Sequence, residues 1–180
     1  MNENNITKYI ESNPELGKKF YQNFNDKGKI VMLNLLKFYK KADYSYLEQL
    51  KPDKEITGKE AYQLYMEKTL PELEKVGSRI VYYGKSRDFL IGPDNEKWDA
   101  VLLAEHKSAL KFMEFAQNED YLKNAGHRTA ALEDSRLLPT GEMENRTWHS
   151  LINGGLCDKN QKYRSYISID NILNKRPVSI

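Results

Sequence analysis

The stretch Ile30-Val-Met-Leu-Asn-Leu-Leu-Lys-Phe38 decides the fold, because apolar residues occupy both of its alternating faces. A strand with this pattern is covered on both sides, as in the middle of a sheet. Trp98 to Glu105 repeats the pattern. Arg79 to Lys85 and Glu133 to Leu138 are predicted strands that are less apolar. We therefore expect two central strands and two edge strands.

Two helices are predicted between these strands. Thr57 and Glu60 have the spacing of a capping box and start a helix that Gly77 ends. Ser108 caps the second helix. The expected buried stripe of that helix consists of Ala109, Phe112, Met113 and Ala116.

The predicted order is strand, helix, strand, strand, helix, strand, which is the βαββαβ arrangement of a ferredoxin-like α+β fold. In that antiparallel sheet the first and third strands are central, in agreement with their apolar faces. The two helices cover one face, so the other face needs a cover. A second copy of the chain is the economical candidate, which predicts a dimeric α+β barrel.

Three segments are expected along the chain. An N-terminal helical arm covers residues 1–28, with Asn13 as cap and Pro14 in the first turn. The ferredoxin-like domain covers residues 29–140, in which 88–91 is expected to form a short extra strand and 121–131 to be irregular or a short helical turn. A C-terminal extension, residues 141–180, is expected to pack along the body or across the dimer seam.

Composition limits the partners and the compartment. The 180 residues carry 28 Lys and Arg against 26 Asp and Glu, so no strong field favours nucleic acid or an anionic membrane. The single cysteine, Cys157, cannot form an internal disulfide, which suits a reducing compartment. Met1 to Ile10 lacks the apolar segment of a signal peptide, and no stretch reaches the roughly 20 apolar residues that span a bilayer. A cytoplasmic protein is expected.

Four stretches carry a resemblance to a known family. They are Val31 to Phe38, Gly58-Lys-Glu-Ala-Tyr62, Ile91-Gly-Pro93 with Trp98-Asp99, and His127-Arg-Thr-Ala-Ala-Leu-Glu-Asp-Ser-Arg136. Over about Lys29 to Pro139 the chain resembles the DUF1330 family of dimeric α+β barrel proteins. The resemblance implies a ferredoxin-like fold, a dimer formed sheet to sheet and no established activity. The wider superfamily mixes cofactor-free monooxygenases, isomerases, haem-dependent enzymes and binding proteins.

Polar residues on the predicted sheet are the first candidates for ligand binding. Asn34 is the one polar residue on its face of the first strand, and a buried amide without a partner costs about 1 to 3 kcal/mol. It therefore orients a ligand, or it pairs with a neighbouring side chain or an ordered water. Asp134 and Arg136 alternate onto one face of the last strand, which predicts a partly enclosed pair near Asn34. That pair belongs either to a ligand pocket or to a dimer interface.

His127 and Arg128 lie in the last DUF1330-like stretch, and His127 is the only one of the three histidines there. A neutral imidazole transfers protons near physiological pH. One hypothesis makes His127 the catalytic acid or base and Asp134 the residue that orients it, with Asn34 and Arg128 stabilising developing negative charge. The alternative is that His127 fixes a loop by bonding a backbone carbonyl.

Three aromatic residues complete the candidates. Trp98 lines the mouth of a pocket or belongs to the core. Tyr62 and Tyr65 lie on the buried face of the first helix, where their hydroxyls reach a ligand or the rings simply pack. The sequence has no zinc-ligand spacing, phosphate-binding loop or dinucleotide fingerprint, so neither a cofactor nor a metal is predicted.

Three functions remain open at this point. The first is an enzyme that acts on a small, partly apolar molecule by cofactor-independent acid/base or oxygenase-type chemistry. The second is a non-catalytic dimer that binds a metabolite with the same residues. The third is a structural dimerisation or partner-binding module. The predicted partners are a second copy of the chain and an unknown small molecule, with no nucleic acid and no membrane.

Overall fold

The computed structural model of the protein describes residues 8–142 and contains a four-stranded antiparallel sheet with the order β2-β3-β1-β4. The strands are β1 (Ile30–Phe38), β2 (Arg79–Lys85), β3 (Ala100–His106) and β4 (Leu132–Gly141). The two stretches that are apolar on both faces thus form the centre of the sheet, and the other two form its edges. This topology confirms the predicted ferredoxin-like α+β fold.

Three of the helices begin at the capping residues that the sequence predicts, Asn13, Thr57 and Ser108. The helices are α1 (Pro14–Phe24), α2 (Gly58–Lys75), α3 (Ala109–Ala116) and α4 (Glu119–Ala131), with one turn of 3-10 helix at Glu48–Leu50. The Asn13 side chain accepts a hydrogen bond from the Leu16 backbone and caps α1. Thr57 and Glu60 form the reciprocal capping box of α2. Gly77 follows the end of α2 with a φ of +74°.

Helix α4 corrects the prediction of an irregular segment at residues 121–131. It has 13 residues and is capped by Asn118, whose side chain accepts from the backbone of Tyr121. Its buried residues are His127, Ala130 and Ala131. Because small and polar side chains form this buried stripe, the sequence shows no apolar periodicity there.

Other boundaries also differ from the prediction. Residues 88–91 form bends instead of the expected short strand. β3 begins at Ala100 instead of Trp98, and β4 continues through Pro139 to Gly141. In α3 the buried residues are Ala109 and Phe115, whereas the other three members of the expected stripe are half-buried. The predicted C-terminal extension lies outside the described residues from position 143 onward.

The two faces of the sheet have different surroundings. On the covered face, β1 and β3 pack against α2 and α4 through Ile30, Met32, Leu36, Ala100, Leu102, Ala104, Ala61, Tyr62, Ala130 and Ala131. The other face, called the open face below, consists of Val31, Leu33, Leu35, Val101, Leu103 and Leu138. These side chains take no part in the buried core that the described residues form. Among the described residues, no helix is long and apolar enough to cross a membrane.

Candidate functional site

The sheet separates the candidate residues onto its two faces. Asn34 lies opposite Leu137 and shares the covered face with Leu36, whereas Arg136 lies opposite Leu35 on the open face. Successive residues of a strand point to opposite sides. Asn34 and Arg136 are therefore neighbours along the strands but do not share a site, and the expected cluster of Asn34 with Asp134 and Arg136 does not form.

The side-chain amide of Asn34 is hydrogen-bonded to backbone oxygens of the sheet. Its Nδ2 donates to the backbone oxygens of Met32, at 3.2 Å, and Leu102, at 3.3 Å. The side chain is half-buried. These bonds to backbone carbonyls replace the expected neighbouring side chain or water. A ligand-orienting role for Asn34 stays a prediction.

Tyr62 and Tyr65 belong to an aromatic layer between α2 and the sheet. The ring centroid of Tyr62 is 5.4 Å from that of Phe38 and 5.3 Å from that of Tyr65, which in turn lies 6.2 Å from Tyr121. Burial raises the pKa of both Tyr62 and Tyr65, so their phenol groups are neutral at physiological pH. The structure gives both rings a packing role in the core.

His127 is paired with Tyr44 rather than with Asp134. The Tyr44 hydroxyl lies 2.8 Å from His127 Nδ1, and the two side chains are buried. Burial first, and then the positive charge of Lys68, lowers the pKa of His127. The imidazole is therefore neutral at pH 7 and available for proton transfer. The hydrogen bond that Asp134 was expected to make with it is made by Tyr44 instead. The catalytic roles of His127 and Asp134 stay predictions.

Asp134, Arg136, Trp98 and Tyr9 form a compact group at one end of the open face, called the Arg136 cluster below. Arg136 Nη1 donates to Asp134 Oδ1 at 2.6 Å and to the Ser135 backbone oxygen at 2.8 Å. Its guanidinium carbon lies 4.6 Å from the ring centroid of Tyr9 and 5.0 Å from that of Trp98. The side chains of Asp134 and Arg136 are 10% and 34% exposed. The partly enclosed ion pair expected from the sequence is thus present.

Arg128 ties the N-terminal segment to this cluster. It donates to the Ile10 backbone oxygen at 2.7 Å and to Ser135 Oγ at 3.2 Å. The Tyr9 backbone donates to Asp134 Oδ1 at 2.8 Å, and the Tyr9 oxygen accepts from the Ser135 backbone at 3.0 Å. Residues 9 and 10 therefore run along the outer edge of β4.

Sequence reasoning missed Tyr9, Tyr44 and Ser135. Tyr9 precedes the first helix cap and Tyr44 lies in a polar loop, so no periodicity distinguishes either residue. Ser135 lies between Asp134 and Arg136, and its role comes from its contacts with Tyr9, Arg128 and Arg136. No local signal in the sequence would have identified these contacts.

Two surface clefts lie away from the open face. One, of about 480 Å³, is formed by the loop of residues 39–56 and includes Tyr44. The other, of about 400 Å³, lies between α1 and Met113 of α3. Neither of these two clefts of the described chain reaches the open face. Within the same part of the chain, no group of three or more His, Cys, Asp or Glu side chains is arranged to hold a metal ion.

Solved structures provide the comparison. The chain is similar to the RPA0582 protein of Rhodopseudomonas palustris, a protein of unknown function, with 35% identity and a TM-score of 0.67 over 77% of this chain and 100% of that one. The methylated RPA0582 protein gives 34% identity and a TM-score of 0.69 over 78% of this chain and 99% of that one.

A third likeness is to a dimeric protein of unknown function and ferredoxin-like fold from Bacteroides fragilis. The identity is 12% and the TM-score 0.41, over 63% of this chain and 96% of that one. A TM-score this low supports no argument about this chain. No family model matches the chain. No curated protein matches it either.

Proposed function

From the premise that this chain belongs to the same family as the RPA0582 protein, we propose that it forms a homodimer through the open face and binds a small, partly apolar molecule at the Arg136 cluster. The observation that carries the proposal is the open face itself. It is a continuous apolar surface in the centre of the sheet, and its side chains stay outside the core. Such a surface is typical of an interaction site.

Charged pairs border the open face and favour a second sheet as its cover. Glu105 accepts from Arg79 at 2.8 Å and lies 3.2 Å from Lys29, and Lys37 bonds Glu133 at 3.0 Å. An apolar centre with a polar rim is the usual anatomy of a protein interface. A second copy of the chain presents the same surface and matches it by two-fold symmetry.

The family name DUF1330 is part of the proposal. The stretches that resemble DUF1330 lie on β1, on the first turns of α2, around Trp98 and across α4 and β4. They contain the open-face residues of β1 and three members of the Arg136 cluster, Asp134, Arg136 and Trp98. A cytoplasmic location also belongs to the proposal and is supported by the presence of only one cysteine in the sequence.

Binding is favoured over catalysis by the placement of the polar groups. The Tyr44 hydroxyl is hydrogen-bonded to Nδ1 of His127. Asp134 instead accepts hydrogen bonds from Tyr9, Ser135 and Arg136 at the sheet. A proton-transfer pair requires its members to lie within hydrogen-bond reach of each other. The binding proposal needs only the Arg136 cluster and the cover that a second subunit provides.

The Leu33→Arg substitution tests the dimer. Leu33 lies on the open face and is half-buried, so the arginine would place a charge inside the proposed interface without entering the core. We expect the wild-type protein to sediment as a dimer and Leu33→Arg as a monomer with an unchanged circular dichroism spectrum. The matched control is Leu122→Arg, at a 55% exposed leucine of α4, which should remain a dimer. A wild-type monomer at high concentration, or a dimeric Leu33→Arg, would contradict the proposal.

A further inference from the structure

We infer that the Arg136 cluster is a binding site for the carboxylate of a small ligand whose remaining part is planar and apolar. This inference deepens the proposed binding function and rests on it, since it names the chemical class that the cluster recognises. Four features of the cluster carry the inference: the free donors of Arg136, the rings beside it, the local charge and the apolar neighbours.

The guanidinium of Arg136 has two nitrogen donors, Nε and Nη2, that form no hydrogen bond with the described residues. In the described part of the chain its bonds are made by Nη1, to Asp134 Oδ1 and the Ser135 oxygen. The side chain is 34% exposed. Adjacent N–H groups of a guanidinium form a fork that matches the two oxygens of a carboxylate. The geometry therefore leaves one bidentate position open.

Aromatic rings and ion pairing hold this fork in place. Tyr9 and Trp98 lie against the guanidinium, and Trp98 is buried. Asp134 accepts through Oδ1 from Arg136 and from the backbones of Tyr9 and Ser135. An arginine that is held by stacking and by one carboxylate loses little freedom when it binds a second carboxylate.

The charges around the cluster include one arginine that bonds to no carboxylate within residues 8–142. Arg128 and Arg136 contribute two positive charges, whereas Asp134 contributes one negative charge and Glu96, which accepts from Trp98 Nε1 at 3.4 Å, contributes another. Among the described residues Arg128 bonds only to the Ile10 oxygen and Ser135 Oγ, neither of which is charged. Lys37, opposite Asp134 in the register, is neutralised by Glu133. The guanidinium of Arg128 still favours an anion beside Ser135, because opposite charges attract at short distance.

The surface beside Arg136 suits the rest of such a ligand. Leu35 lies directly across from Arg136 on β1, and Val101 lies across from Leu35 on β3. An apolar wall with one directed charged group is the usual composition of a small-molecule site. An aromatic carboxylate meets both requirements.

Fluorescence titration of Trp98 tests the inference. The chain has two tryptophans, so Trp148→Phe in the full-length protein leaves Trp98 as the only indole. Benzoate and phenylacetate are titrated beside their neutral counterparts benzamide and phenylacetamide. We expect saturable changes with the carboxylates, at affinities about tenfold or more above those of the amides, because charged hydrogen bonds are the stronger ones.

Three variants in the same background identify the residue that binds. Arg136→Gln should weaken carboxylate binding about tenfold or more, and Arg136→Lys, which keeps the charge but not the fork, should give an intermediate loss. Arg87→Gln makes the same charge change at an exposed position outside the cluster and should bind like the background protein. Circular dichroism and isothermal titration accompany each variant.

The inference is overturned if neither carboxylate binds, if the amides bind equally well, or if Arg87→Gln loses as much affinity as Arg136→Gln. Sedimentation of the same samples separates this failure from that of the dimer. A dimer without carboxylate preference overturns the ligand class and leaves the interface proposal intact. A monomer that binds benzoate through Arg136 supports the ligand class and overturns the interface.

Discussion

His106 shows how one buried residue couples the fold to pH. It lies at the end of β3 and is 2% exposed, with Nδ1 2.7 Å from the Ser78 hydroxyl and its ring 5.1 Å from that of Phe112. Burial lowers the pKa of His106 from 6.5 to about 4. The imidazole is therefore neutral in the folded protein at physiological pH, and its protonation opposes folding.

Acidification is expected to destabilise the protein through His106. Below pH 6.5 the unfolded chain binds a proton at this histidine, whereas the folded chain does so only near pH 4. The free energy of unfolding should therefore fall between pH 6.5 and pH 4, by up to about 3 kcal/mol, and level off below that range. His127, whose pKa burial also lowers, contributes in the same direction. Urea unfolding at pH 7 and at pH 4.5 measures the change.

The control for this prediction is His106→Gln, which keeps a polar side chain beside Ser78 but cannot titrate. The variant is expected to be less stable at pH 7, since it alters a packed site. It should lose part of the decrease in stability between pH 7 and pH 4.5. An identical decrease in both proteins would show that His106 does not carry the effect.

At the scale of elements, Gly58 fixes how α2 meets the sheet. Its backbone donates to the Tyr39 oxygen at 3.0 Å, and the Tyr39 backbone donates to the Ala131 oxygen at 3.0 Å. The ends of β1, α2 and α4 thus meet at one point. A Cβ on residue 58 would lie 2.4 Å from the Ala131 oxygen and 2.6 Å from the Tyr39 oxygen. Only glycine permits this approach, because both obstacles are backbone atoms.

Gly58→Ala is therefore expected to destabilise the fold by at least about 2 kcal/mol, through overpacking against the backbone. The matched control is Gly17→Ala in α1, where no atom lies within 4 Å of the added Cβ. That change should stabilise the protein by about 1 kcal/mol at most, since alanine favours helices over glycine. Urea unfolding of both variants gives the difference, and equal stabilities would contradict the assigned role of Gly58.

For the whole molecule, the open face links stability to assembly. Within residues 8–142 the apolar centre of the sheet lies outside the core, and the proposed dimer removes that surface from water. Folding and association are then coupled by mass action. The helices that cover the other face need no partner for their burial.

The thermal midpoint of the wild-type protein is expected to rise with protein concentration, because dilution favours the dissociated chain. Calorimetry over a hundredfold range of concentration measures the shift. The midpoint of Leu33→Arg should not depend on concentration. A wild-type midpoint that stays constant over this range would count against a dimer that contributes to stability.

The sequence determined the four strands, their central or edge positions and three of the helix starts. These features depend on local patterns: alternation along β1 and β3, and capping residues such as Asn13 and Thr57. The alternation of Asp134 and Arg136 likewise predicted their ion pair. The sequence did not predict helix α4, because its buried residues are alanines and a histidine, which give no apolar periodicity.

Only the tertiary structure decided which distant residues meet. Tyr44 and His127 are 83 positions apart, and Tyr9 and Asp134 are 125 apart, so their contacts depend on how whole elements pack. The register of β4 against β1 placed Arg136 opposite Leu35 instead of Asn34. A shift of one residue would have put Arg136 on the covered face, since side chains alternate with a period of two. Local patterns fix what each strand is, whereas the register between strands fixes which side chains form a site.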